Sequence, residues 1–132
     1  MRTIHTRSAP KAGGHYAQGI EHGGLVYVSG QLPLDPATGD VIGAGDIDAQ
    51  TERTLRNVEA ILVAAGSRLD QVVQMTIYIT GRALWPQVNA VYARVLGDHR
   101  PARAVIPVPE IKPGCMIEIQ AIAVTSNARG SP

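Results

Sequence analysis

Apolar residues recur at spacings of three and four in two stretches and alternate in several others. These two periods divide the chain into elements. Leu55, Val58, Ile61, Leu62 and Ala65 fall on one helical face and predict a helix over 46–66, with Asp46 or Asp48 as N-cap and Gly66 just past its end. Trp85, Val88, Tyr92 and Val95 make the stripe of a second helix over 84–97. Pro86 is tolerable in its first turn, and Gly97 closes it. Runs rich in β-branched residues predict strands at Leu25 to Ser29, 71–80, Ala102 to Val108 and Met116 to Val124. Pro33, Asp35-Pro36 and Gly39 mark a turn region after the first of these, and "EIKPG" separates the last two. "RTIHT" and "YAQGIEH" are shorter strand candidates near the N-terminus. The order β-β-β-α-β-α-β-β predicts a single α+β domain over 1–132, a six-stranded, mostly antiparallel mixed sheet with two helices on one face.

Alternation assigns faces within the strands. In 72–79, Val73, Met75, Ile77 and Ile79 share one face, and Val72, Gln74, Thr76 and Tyr78 the other. Ala102, Ala104, Ile106 and Val108 oppose Arg103, Val105 and Pro107. Ile117, Ile119, Ala121 and Ala123 oppose Met116, Glu118, Gln120, Ile122 and Val124. Each strand thus has a clean apolar face, suited to the helices, and a mixed face too rich in Val, Ile, Met and Tyr to be left in water. A contiguous apolar patch of that kind predicts an oligomer. On this reading Arg103 and Glu118 both lie on the mixed side, at or near a subunit boundary. A guanidinium there needs a partner. Glu118 is one candidate, and a ligand carboxylate, which the planar fork of Arg matches bidentately, is the other.

Composition narrows the class. The 132 residues are 45% apolar and 17% charged, with a net charge of +1 and no Lys/Arg run. Nucleic-acid binders carry a basic stripe, and the 4% aromatic content offers few stacking platforms, so both argue against a nucleic-acid partner. Cys115 is the single cysteine and cannot form an internal disulfide, which points to a reducing compartment. The N-terminus lacks the apolar core of a secretory signal and no apolar run reaches membrane-span length, so the expected location is the cytoplasm. His5, His15, His22 and His99 lack metal-ligand spacing and read as turn or surface positions, though His15 adjoins Tyr16. Gly13-Gly14 is a turn and not a phosphate loop, since no Lys-Ser/Thr follows it.

Six segments, in order and spanning nearly the whole chain, together resemble the Rid/YjgF family of reactive-intermediate (enamine/imine) deaminases, also called the endoribonuclease L-PSP family. They are "YAQGI" (16–20), "VYVSGQLPLDPATGDV" (26–41), "QTERTLRNVEAILVAAG" (50–66), "VNAVYARVL" (88–96), "RPARAVIPV" (100–108) and "IEIQAIAV" (117–124). The resemblance implies a chorismate-mutase-like fold and a homotrimer whose sheets form a central barrel, with active sites in clefts between subunits. It implies hydrolysis of 2-aminoacrylate-type enamines and imines to 2-keto acids and ammonia, without metal or organic cofactor. By the same carry-over, Arg103 of the PAR motif grips the substrate carboxylate and Glu118 is linked to the attacking water. Tyr16 lines the pocket, Ser29, Gly30 and Gln31 lie near it, and Asn89 is pocket-side.

The chain departs from the family pattern at two places. Gly14-His15-Tyr16 stands where Gly-Pro-Tyr is common. Val105 stands where the family has Cys or Thr two residues after the Arg, keeping the backbone carbonyl that orients ligand or water but adding no polar side chain. These departures bear on substrate identity. Besides the housekeeping deaminase, the pattern leaves open a carboxylate-binding regulatory trimer without turnover and a pathway-specific deaminase acting on a larger substrate such as an aminomuconate. An endoribonuclease is the reading that composition disfavours.

Overall fold

A computed structural model describes residues 1–125 of the chain. Helix α1 (Ile47–Ala64) forms where the spacing predicts it, and Leu55, Val58, Ile61 and Leu62 on its inner face are fully buried. Asp46 is the N-cap: its carboxylate accepts from the Ala49 N–H at 3.1 Å, satisfying a donor the helix itself cannot. Beyond Ala65 the chain leaves through Gly66 at φ +82°, a conformation costly for any residue with a Cβ. Helix α2 (Trp85–Leu96) carries Pro86 in its first turn, where no backbone donor is lost. Its buried stripe is Val88, Val91, Tyr92 and Leu96, turned slightly from the predicted one, with Trp85 and Val95 only partly buried beside it.

Six strands form one sheet: β1 (Arg2–Ile4), β2 (Gly19–His22), β3 (Leu25–Gln31), β4 (Val72–Ile79), β5 (Ala102–Pro107) and β6 (Ile117–Val124). Their order is β1-β2-β3-β6-β4-β5. All pairs are antiparallel except β4 and β5, which are parallel because α2 carries the chain back between them. Both helices lie on one face. There Val26 and Val28 of β3, Met75, Ile77 and Ile79 of β4, and Ile117, Ile119 and Ala123 of β6 pack into a single core with α1 and α2. On the open face, Tyr27, Gln74, Thr76, Tyr78, Gln120 and Ile122 are exposed or half-buried.

Two of the predicted faces are corrected. In β4 the register against β6 slips between Val72, opposite Ala123, and Gln74, opposite Ile122. This bulge turns Val72 inward to 1% exposure and leaves Val73 at 44%, the reverse of strict alternation. In β5 the clean apolar side does not meet the helices. Arg103, Val105 and Pro107 pair with Met75, Ile77 and Ile79 and share their helix-side face, whereas Ala102, Ala104 and Ile106 lie on the open side. β5 is an edge strand under the flank of α2, where a long charged side chain reaches water along an aromatic ring. The charge therefore does not mark the solvent face of this strand.

Buried amide side chains fasten the loops to this framework. Gln50, fully buried on α1, donates to the carbonyls of Ile42 (3.1 Å) and Gly114 (2.8 Å) and accepts from the Met116 N–H (2.8 Å). Asn57, two turns on, donates to the carbonyls of Leu32 (2.9 Å) and Leu34 (3.0 Å). Gln18 accepts from the Thr6 N–H (2.7 Å) and donates to the carbonyls of Thr6 (3.0 Å) and Pro10 (2.9 Å). Buried backbone groups without such partners cost most of their desolvation energy. Gln50→Leu removes the partner of three partly buried backbone groups at once. It is expected to lower unfolding stability by about 1–3 kcal/mol, read from urea denaturation at fixed protein concentration. A loss below about 1 kcal/mol would show that water replaces the amide.

Candidate functional site

The predicted site residues divide into two groups on opposite faces of the sheet. The first is built on α2 and β5. Asn89 and Tyr92, three residues apart and so on one side of α2, hold the guanidinium of Arg103. Arg103 Nη1 donates to Asn89 Oδ1 at 2.8 Å, and its charged carbon lies 4.9 Å from the centroid of the Tyr92 ring. Such a cation–π contact is worth about 0.5–1 kcal/mol where exposed, enough to favour one orientation. Tyr92 is buried and its hydroxyl has no hydrogen-bond partner among the described residues. Burial pushes its phenol pKa up, against a smaller downward pull from Arg103. A hollow of about 400 Å³ opens beside Arg103, between the last turns of α2 and the start of β5.

The second group is built on β3 and β6. Glu118 stands on the open face opposite Tyr78 and is half-buried. Among the described residues no cation lies within ion-pair distance of it. Burial raises its pKa above the ordinary carboxylate value, since nothing offsets the lost hydration of its charged form. Gly30 is its close neighbour: a Cβ at Gly30 would meet the Glu118 carboxylate, so any larger residue there would push that carboxylate from its place. Ser29 donates through its hydroxyl to the Ala17 carbonyl (2.6 Å) and through its N–H to the Gln18 carbonyl (2.9 Å), binding the 16–18 segment to the end of β3. Tyr16 is half-exposed there, its phenol oxygen accepting from the Gly13 N–H at 3.2 Å. Lys112 lines both the hollow at Glu118, with Tyr78 and Glu110, and the neighbouring one at Tyr16.

The structure thus brings Arg103 together with Asn89, and Glu118 with Gly30, but does not bring the two pairs together. Arg103 pairs with Met75 on the helix side and Glu118 with Tyr78 on the open side, so the expected placement of both on the mixed face is corrected; within the protomer Arg103 is exposed. Gln31 is buried at 5% exposure, its amide donating to the Ser29 carbonyl at 3.1 Å. It supports the β3 bulge from the helix side, whereas Gly30 faces Glu118. Val105 packs its side chain on the core. Tyr92 was legible in sequence only as part of a helical stripe; its spacing from Asn89 is the signal that sets both beside one partner.

Comparison with known proteins adds an independent line. The family model described as Endoribonuclease L-PSP matches residues 6–125. A RutC family protein of Pyrococcus horikoshii is 41% identical over 120 residues, covering 91% of this chain and 94% of the relative. The 2-iminobutanoate/2-iminopropanoate deaminase of Salmonella typhimurium is 40% identical over 126 residues, covering 93% of this chain and 97% of that protein. The crystal structure of E. coli TdcF with bound serine superposes with a TM-score of 0.89 at 36% identity, covering 96% of this chain and all of that one.

The raised pKa of Glu118 has a measurable sign. A carboxylic acid whose folded pKa exceeds its unfolded value contributes stability that is fully present below the ordinary value of 4.5 and is lost as pH rises through the raised one. Glu118→Gln, which removes the ionisation, is expected to match wild type in thermal stability near about pH 4 and to exceed it near about pH 8. Equal midpoints at both pH values would show that the carboxylate is not desolvated.

Proposed function

The chain belongs to the Rid/YjgF (endoribonuclease L-PSP) family, and from that premise we propose that it is an enamine/imine deaminase. It hydrolyses 2-aminoacrylate-type intermediates, through their imine tautomers, to 2-keto acids and ammonia. The observation that carries this reading is a pair of charged groups with no ion-pair partner among the described residues: a guanidinium oriented only by neutral groups, and a half-buried carboxyl with no cation within ion-pair distance. A short 2-imino acid uses both, since its carboxylate suits Arg103 and its electrophilic carbon needs water and a proton donor. The serine bound by TdcF, a small molecule with a carboxylate, supports the same class of ligand.

The reaction balances without a further reagent. Water adds to the C=N carbon as its proton passes towards Glu118, and the C=N electron pair becomes a lone pair on nitrogen. Glu118 returns that proton to the nitrogen, the proton of the new hydroxyl follows through the same carboxyl, and the C–N bond breaks as C=O forms, releasing ammonia. A carboxyl with a raised pKa is suited to both transfers, which typically contribute a hundredfold to ten-thousandfold. Orientation by Arg103 contributes through proximity.

Arg103 and Glu118 on opposite faces of one sheet cannot serve one small substrate within a protomer. The reading therefore needs two subunits at each site, and the family resemblance makes the assembly a homotrimer in which Arg103, with Asn89 and the Val105 carbonyl, comes from one subunit, and Glu118, Tyr16, Ser29 and Gly30 from the next. The uncovered apolar groups of the open face and the free edge of β5 supply the surface for it.

Arg103→Ala is expected to lower kcat/KM for imine hydrolysis about a hundredfold or more while the oligomer survives. Mixing Arg103→Ala with Glu118→Gln subunits, followed by reassembly, is expected to restore about a quarter of wild-type sites, because each intact site draws on two different subunits. No restoration would place both residues in one protomer's site. Tight keto-acid binding with no acceleration of any imine would make the protein a carboxylate-binding trimer instead.

A further inference from the structure

Arg103 meets Asn89 and Tyr92 only while β5 keeps its register on β4, and that strand is poorly held by its own residues. Every residue of β5 except Val105 is exposed. Ala102 and Ala104 are too small to specify a side by burial. As an edge strand, β5 has β4 as its single neighbour in the sheet. A register left unspecified by burial is prone to slip, and a slip of one residue would carry Arg103 to the open face, away from Asn89 and Tyr92.

The register is marked from outside the strand. β4 and β5 pair from Gln74 and Ala102 onward. Just before that first pair, His99 Nε2 lies 2.7 Å from the Val72 carbonyl, at the bulge where β4 shifts against β6. A carbonyl only accepts, so Nε2 carries the proton, and the bond holds with the ring neutral or charged. The His99 N–H donates in turn to the Leu96 carbonyl, at the end of α2, at 3.3 Å. One residue thus joins the helix that carries Asn89 and Tyr92, the start of β4 and the approach to the strand that carries Arg103.

We infer that His99 is a positioning residue for Arg103. It fastens the α2–β5 connection to the β4 bulge and so fixes the register that sets Arg103 beside Asn89 and Tyr92. The inference deepens the imine-hydrolase reading, on which its catalytic consequence rests. The geometry it concerns lies wholly within one protomer.

Register and bond are coupled by distance. Moving β5 by one residue displaces it by about 3.3 Å along β4. That shift takes His99 Nε2 out of hydrogen-bond reach of the Val72 carbonyl. The contact is partly buried, so a carbonyl that loses it is not freely rehydrated. A slipped strand therefore loses the bond as well as the seat of Arg103. At the far end of β5 the Val108 N–H donates to the Ile79 carbonyl at 2.8 Å, but Pro107 before it has no N–H to offer.

Hydrogen exchange on the intact protein compares wild type with three variants. His99→Leu removes the donor, His99→Asn keeps an amide that is too short, and His99→Gln places an amide nitrogen near the position of Nε2. The Leu and Asn variants are expected to speed exchange of the 103–106 amides about tenfold and to leave those of Ile117–Val124 unchanged. In the same variants the Kd of 2-oxobutanoate is expected to rise about tenfold. Their kcat/KM for the imine released from alanine by an amino-acid oxidase is expected to fall equally, through KM, since the carboxylate keeps its charge into the transition state. His99→Gln is expected to stay within about twofold of wild type in each readout. Unchanged exchange in β5, equal acceleration in β5 and β6, faster exchange with Kd and KM unmoved, or a Gln variant as impaired as Leu overturns the inference. If the Leu variant does not assemble, the Asn and Gln variants decide. If wild type accelerates no imine, the deaminase reading fails, and exchange still decides whether His99 sets β5.

Discussion

Two helices cover one face of a six-stranded sheet, and among the described residues nothing covers the other. Every strand residue must take one side or the other, and that choice decides whether it joins the core or remains available. Met75, Ile77, Ile79, Ile117 and Ile119 take the covered side and are fully buried. Tyr27 and Ile106 take the open side at 42% and 39% exposure, an unusual position for large apolar groups. The same constraint parts the chemistry: Arg103 stands beyond the flank of α2, and Glu118 stands on the bare face.

The two charged groups are stabilised differently from ordinary surface ion pairs. A surface arginine next to glutamate gains little and is already neutralised. Arg103 is fixed by an amide oxygen and an aromatic face, which orient the guanidinium while leaving its charge available. Glu118 is the complementary case, partly desolvated and without an ion-pair partner among the described residues, its carboxylate set against a glycine that any larger residue would turn into an obstacle. The Glu118 arrangement is less favourable for the isolated protomer than full solvation, because its charged form loses hydration with no ion pair in return. Such local cost is characteristic of groups kept ready for a ligand.

The polar interior explains how long loops hold a defined course beside such a sheet. Residues 32–46 contain no helix and only an isolated bridge between Leu34 and Val41, yet they are tied to α1 through Asn57 and Gln50. Gln50 also grips Gly114 and Met116, immediately before β6, and so fixes the entry of the strand that carries Glu118. Thr51 and Thr54 on the same helix return their hydroxyls to the carbonyls of Ile47 and Gln50, which leaves no buried hydroxyl there unsatisfied.

The sequence by itself determined the elements, their order and the inner face of α1, because these follow from short-range periodicity and from caps such as Asp46 and Gly66. Its motifs also identified the family and singled out Arg103, Asn89, Gly30 and Glu118. Tertiary structure alone decided the rest. Alternation labels two sides of a strand but does not say which side meets a helix; the parallel register of β5 on β4 turned Arg103 to the helix side, against the expectation from its apolar neighbours. A one-residue slip opposite Ile122 exchanged Val72 and Val73, since every residue past a bulge changes face. The pairing of Arg103 with Tyr92, the contact between Gly30 and Glu118, and the bond from His99 to the Val72 carbonyl join residues according to how strands and helices meet in space, and no local pattern along the chain encodes that meeting.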